Sequence, residues 1–168
     1  MAGARINIMD DLGWARAKSL IAKRRAKRCE VDTKLGCHVP IGCRTRDGYA
    51  QVSFPEIWTK SNAKAKKGLT GRKASRAYLL HIVAYAQLHK RNPNDHVSHL
   101  CDNPACFNPT HLVDETASNN NSRKGCPGPI YCSDHGYLIV NLCNHNPPCI
   151  RPPRQDVQCC LSHKEFQS

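Results

Sequence analysis

The stretch His96–His111, HVSHLCDNPACFNPTH, constrains this chain more than any other. Within sixteen residues it holds three imidazoles (His96, His99, His111) and two thiols (Cys101, Cys106). Thiolate and neutral imidazole are the donors that bind zinc tetrahedrally. Cys101-x4-Cys106-x4-His111 offers three of them at short, regular spacing, and Asp102-Asn103-Pro104 and Asn108-Pro109 are turn-formers able to fold the chain around an ion. If Ser98–Leu100 is extended, alternate side chains share a face. His99 then stands beside the metal loop without ligating it, as a candidate catalytic base.

Composition agrees with a metal-stapled domain. A chain of 168 residues can form one domain. Its apolar fraction of 40%, with three Phe and two Trp, makes a thin core that needs staples. Eleven cysteines, an odd number, and nine histidines can supply them. No signal-like segment is expected, since Asp10 and Asp11 interrupt the amino-terminal stretch, so the cysteines read as metal ligands rather than disulfides. No run of 18 apolar residues is present, and a membrane span is not expected. The formal charge is +12. Zinc held by three thiolates would lower this by only one charge per site, and the basic balance points to nucleic acid as partner.

The motif SHLCDNPACFNPTHL (98–112), followed by an Asn-rich segment and CPGP (126–129), resembles the catalytic core of the His-Cys box homing endonucleases, the zinc-stapled branch of the ββα-metal (HNH-like, His-Me finger) nucleases. The resemblance is dense from Val97 to Pro129, recurs at Cys143–Cys149 and is weak before Arg72. It implies an α+β fold: a small zinc-stapled mixed fold with antiparallel strands and a ββα-metal catalytic core. It implies His99 as general base, Asn120 as ligand of a catalytic magnesium, and Arg72 directed at the scissile phosphate, with Arg76 competing. Local chemistry alone does not choose among Asn119, Asn120 and Asn121; the family spacing back from Cys126 selects Asn120. Two structural zincs follow from the same pattern. The first is held by Cys101, Cys106, His111 and an upstream cysteine, expected to be Cys43 with Cys37 as alternative. The second is held by Cys126, Cys143, His145 and Cys149, with Cys132 and His135 as an alternative pair.

Along the chain, residues 1–28 are expected to form one helix with a late basic cluster, Lys23–Arg28, suited to phosphate contact or nuclear import. Residues 37–70 are expected to hold DNA-reading strands, with Tyr49–Phe54 alternating as a strand, and a basic loop, KSNAKAKK (60–67). Arg44, Arg46 and Gln51 are suited to base edges. Arg72–Lys90 reads as a helix, in which His81 and His89 are read as structural or solvated. Residues 96–126 form the ββα-metal core: Leu112–Glu115 returns as a second strand, Thr116 precedes a helix over 117–124, and Gly125 ends it. Residues 126–149 carry the second zinc site, and 152–168 a dimerisation tail holding Cys159, Cys160 and His163. The expected activity is sequence-specific double-strand DNA cleavage by an intron-encoded homodimer in the nucleus. The alternatives are a non-catalytic two-zinc nucleic-acid-binding module and a less specific defence or toxin nuclease.

Overall fold

The computed structural model describes residue 8 and residues 12–42, 44–54, 76–132, 136 and 138–152. Among these, three helices and four two-stranded antiparallel sheets form an α+β fold. The leading segment is not one helix. The N–H groups of Leu12 and Gly13 both donate to the Ile8 carbonyl (2.9 and 3.0 Å), and Gly13 takes φ +75°. That positive φ, with ψ 150°, is non-helical geometry that glycine adopts readily, and it interrupts any helical path before Trp14. Helix α1 therefore runs Trp14–Lys27, with Arg24, Arg25 and Lys27 in its last turn, where the macrodipole favours cations. Asp10 and Asp11 lie outside the described residues.

Strands β1 (Cys29–Val31) and β2 (His38–Pro40) pair antiparallel, as do β3 (Gln51–Phe54) and β4 (Arg76–Leu79). The helix expected over 72–90 starts later, as α2 (Leu80–His89). Arg76–Leu79 is a strand because β3 supplies its backbone partners: Val52 faces Tyr78 in the register, both side chains are buried, and Ala77 between is exposed. The Leu80 N–H then bonds the Ala50 carbonyl (2.9 Å) and the chain turns helical. Helix α2 is buried on most sides, through Leu80, His81, Val83, Ala84, Tyr85 and Ala86, and ends at left-handed Lys90.

The central unit follows. Strand β5 (His96–His99) pairs with β6 (Leu112–Glu115), His99 opposite Leu112. Between them lie the cysteine loop and a 3-10 turn at Pro109–His111. Helix α3 (Ala117–Arg123) is capped by Thr116, whose Oγ1 accepts the Asn119 N–H, and Gly125 (φ +73°) terminates it. A last hairpin, β7 (Pro129–Tyr131) and β8 (Leu138–Asn141), closes the described chain. The main apolar core joins α1, α2, β3–β4 and Phe107; a second buried cluster is made of Cys37, Cys101 and Cys106. No described helix is long and apolar enough to cross a membrane.

Candidate active site and two metal clusters

Among the described residues, two groups of four donors come together. The first is Cys37, Cys101, Cys106 and His111, all buried; the second is Cys126, Cys143, His145 and Cys149, of which Cys149 is buried. Within each group the ligand atoms lie within 4.8 Å of one another. In the first, Nδ1 of His111 is 3.6 Å from the sulfurs of Cys37 and Cys106. In the second, Nδ1 of His145 is 3.5 Å from Cys143 and 3.6 Å from Cys149. A tetrahedral zinc bound at about 2.3 Å by sulfur and about 2.0–2.1 Å by nitrogen sets sulfur–nitrogen edges of about 3.6 Å. Both clusters therefore have the composition and the dimensions of closed structural zinc sites.

The upstream donor of the first cluster is Cys37, which takes the place expected for Cys43; Cys43 lies outside the described residues. Backbone and side-chain bonds bring Cys37 there. The Phe107 N–H donates to the His38 carbonyl and Asn108 Nδ2 to the Gly36 carbonyl, both at 2.9 Å, clamping the 36–38 turn onto the cysteine loop. Cys37 then brings the first cluster to four donors, the number a closed zinc site takes. In the second cluster the tighter 143–149 pattern supplies the ligands. Cys132 is buried next to β7 and belongs to neither cluster, while His135, Cys159, Cys160 and His163 lie outside the described residues.

Between the two clusters opens a cleft of about 230 Å³ whose lining includes Asp47, Tyr49, His99, Asp102, Asn120 and Lys124. His99, at the end of β5, directs Nε2 at the Cys106 carbonyl (3.0 Å). A carbonyl only accepts, so Nε2 carries the proton and Nδ1 keeps a lone pair able to take one. Burial pushes the imidazole below its ordinary value, which favours this neutral form. Asn120 is half-buried and lines the cleft, whereas Asn119 and Asn121 are exposed. Asn121 Oδ1 instead accepts from Lys124 (3.0 Å). Arg72 lies outside the described residues, and of Arg76 only the backbone in β4 is described.

Residues 41–158 match the family model described as the zinc-binding loop region of homing endonuclease. That is more than half of the chain. The chain belongs to the His-Me finger homing endonuclease family. No solved structure matches it.

In this homing-endonuclease chain the cleft rests on side chains that were not expected to serve it; His81, expected to be structural or solvated, is buried. His81 of α2 lies behind His99 with ring centroids 4.6 Å apart, and Tyr49 touches both rings, 5.3 Å from His81 and 6.0 Å from His99. His81 is 4% exposed and its Nδ1 has no hydrogen-bond partner. Burial, then the neighbouring His99, drives its pKa well down, so it is neutral. The available signal was a histidine flanked by Leu80, Ile82, Val83 and Ala84 in the first turn of a helix. Arg123 was missed too. It is 3% exposed and forks onto Glu115 (Nε–Oε1 2.7 Å, Nη2–Oε2 2.8 Å), while Nη1 donates to the Pro147 carbonyl (2.8 Å) and Cys149 Sγ (3.5 Å). Ser122 Oγ donates to the Asn119 carbonyl (2.8 Å) and lies 3.0 Å from Nε2 of His145. Once Nδ1 of His145 is a ligand, Nε2–H is the donor of that contact. The helix bearing Asn120 is thus fastened to the second cluster at two consecutive residues. Arg151 adds a third tie, to the Arg123 carbonyl and to Asp102 Oδ2 (both 2.6 Å).

Proposed function

We propose that the chain is a sequence-specific, divalent-metal-dependent endonuclease that cuts both strands of DNA as a homodimer. What supports this reading above all is that His99 and Asn120 line one cleft between two zinc clusters. His99 takes a proton from the attacking water at Nδ1, while the bond from Nε2–H to the Cys106 carbonyl holds the ring in the reactive tautomer. Attack breaks the bond from phosphorus to the 3′-oxygen, and that oxygen leaves with a proton from solvent. Asn120, half-buried in the cleft, would hold magnesium through its amide oxygen, the kind of donor a hard cation prefers. When bound, magnesium supplies positive charge that neutralises the phosphate. Lys124 in the cleft provides further positive charge toward the phosphate, and the family resemblance gives Arg72 the same role.

One cleft serves one strand, so a two-fold pair of chains serves two. Apolar surface on β8 (Leu138 51%, Val140 40% exposed) and at Leu142 (50%) is available for a subunit contact. The test is cleavage of supercoiled plasmid with magnesium. Wild type is expected to give discrete linear products and His99→Ala to slow cutting by about 10²–10⁴-fold with DNA affinity retained. A smear of fragments would point to the less specific nuclease, and no cutting by wild type to a binding module. Asn120→Ala is expected to lose cutting in the same way, and loss in Asn119→Ala or Asn121→Ala instead would overturn the register.

A further inference from the structure

Helix α1 precedes the residues matched to the family, 41–158, so nothing in that match assigns it a role. It carries six Lys and Arg and no acidic residue over Trp14–Lys27. A groove of about 460 Å³ runs along one of its faces; its lining includes Arg16, Ser19, Leu20, Lys23, Arg24 and Lys27, with Val52 of β3 beside them. Positions 16, 19, 23 and 27 recur at the i, i+3, i+7, i+11 spacing that aligns side chains on one side of a helix. No carboxylate is among the described residues that line the groove.

We propose that this groove binds the phosphodiester backbone of the DNA substrate, as a contact separate from the catalytic cleft; the proposal rests on the nuclease reading. Length and charge both fit. Arg16 to Lys27 covers eleven helical steps, about 16 Å at about 1.5 Å each. One DNA strand presents a phosphate every 3.4 Å or so along the axis, so the groove meets about four or five of them. An anionic membrane fits worse. A surface-lying helix inserts apolar side chains beside its cations, whereas here Ala17 and Ile21 are buried in the core and Leu20 packs against it. The apolar residues of the groove, Leu20 and Val52, are held against the core, which leaves its cations and Ser19 to meet a ligand.

The experiment compares two variants of equal charge loss in the zinc-loaded full chain. Lys23→Gln/Lys27→Gln removes two groove cations; Lys18→Gln/Arg25→Gln removes two exposed cations of the same helix that do not line the groove. Affinity for a fluorescein-labelled 30-base-pair duplex of mixed sequence is read by anisotropy from about 50 to 300 mM salt, without divalent cation. Zinc content and circular dichroism certify folding. The groove variant should lose about 1–2 from the slope of log affinity against log salt, since each phosphate contact contributes about 0.9, and the control should keep the wild-type slope. Equal losses in both variants, or none in either, would overturn the groove. So would a groove variant that loses binding to phosphatidylserine vesicles while holding DNA as wild type does. Failure of the nuclease reading looks different: wild type that binds the duplex but never cuts it with magnesium.

Discussion

His99 is held from two sides. Its Nε2 is tied to the Cys106 carbonyl, and its ring rests on His81 and Tyr49. The first contact selects the tautomer and the second the tilt, because a single hydrogen bond leaves an imidazole free to rock about it. His81→Ala opens space behind the ring. Single-turnover cleavage should then fall about 10- to 100-fold, the usual penalty for a reacting group misplaced by about 1 Å. DNA affinity and zinc content should hold. His81→Phe restores a ring and should recover most of the rate; equal rates for wild type and His81→Ala would show that the packing is idle.

At the level of elements, α3 is positioned by what it is fastened to. Seven residues, three of them Asn, make a poor helix in isolation. Thr116 caps it, Arg123 forks onto Glu115, and Ser122 and Arg123 reach the second metal cluster. Arg123→Met leaves the Glu115 carboxylate buried without its partner, which costs about 3–5 kcal/mol. It also removes a donor from Cys149. Chelator-induced zinc release should therefore quicken at the second site and stay unchanged at the first, as followed with a chromogenic chelator. Release at equal rates from wild type and variant would refute the link. Strand β6 is secured in a related way. Asp114 accepts from the Asn94 and Asp95 N–H groups and from Arg91. Burial alone would raise its carboxyl, but these donors outweigh it and hold the pKa below the ordinary value. A depressed folded pKa means stability present above the unfolded value, near pH ~3.9, and lost as pH falls through the folded one. Asp114→Ala should thus cost about 2 kcal/mol, by the same amount at pH 7 and at pH 5. A cost that shrinks over that interval would mean the carboxyl is not held ionised.

Across the described fold, two clusters of metal donors stand where a larger apolar core would otherwise be needed. The second buried cluster is three cysteines rather than hydrocarbon. Zinc affinity is folding energy in such sites, so native mass spectrometry should find two zincs per chain, and a strong chelator should abolish the cooperative thermal transition along with DNA binding. A chain that keeps its near-ultraviolet dichroism after losing both metals would contradict this. Removing the first zinc frees the Cys106 loop and, with it, the carbonyl that orients His99, so cutting should fail at the first equivalent lost from that site.

Short-range chemistry made much of the centre legible in the sequence. The Cys101–His111 spacing, the flanking extended segments, the Thr116 cap and Gly125 all act within a few residues, and strand, loop, strand and helix follow from them. The long-range choices did not. Cys37 and Cys43 are both cysteines in turn-rich surroundings, and only the bonds from Phe107 and Asn108 to the 36–38 turn bring Cys37 into the first cluster. Arg76–Leu79 has a helix-compatible pattern and becomes a strand because β3 lies beside it. The three consecutive asparagines differ only in direction, which the packing of α3 against its two ties decides. His81 gained its place behind His99 the same way: a histidine in an apolar helix says that something polar is buried, and the fold alone says against what.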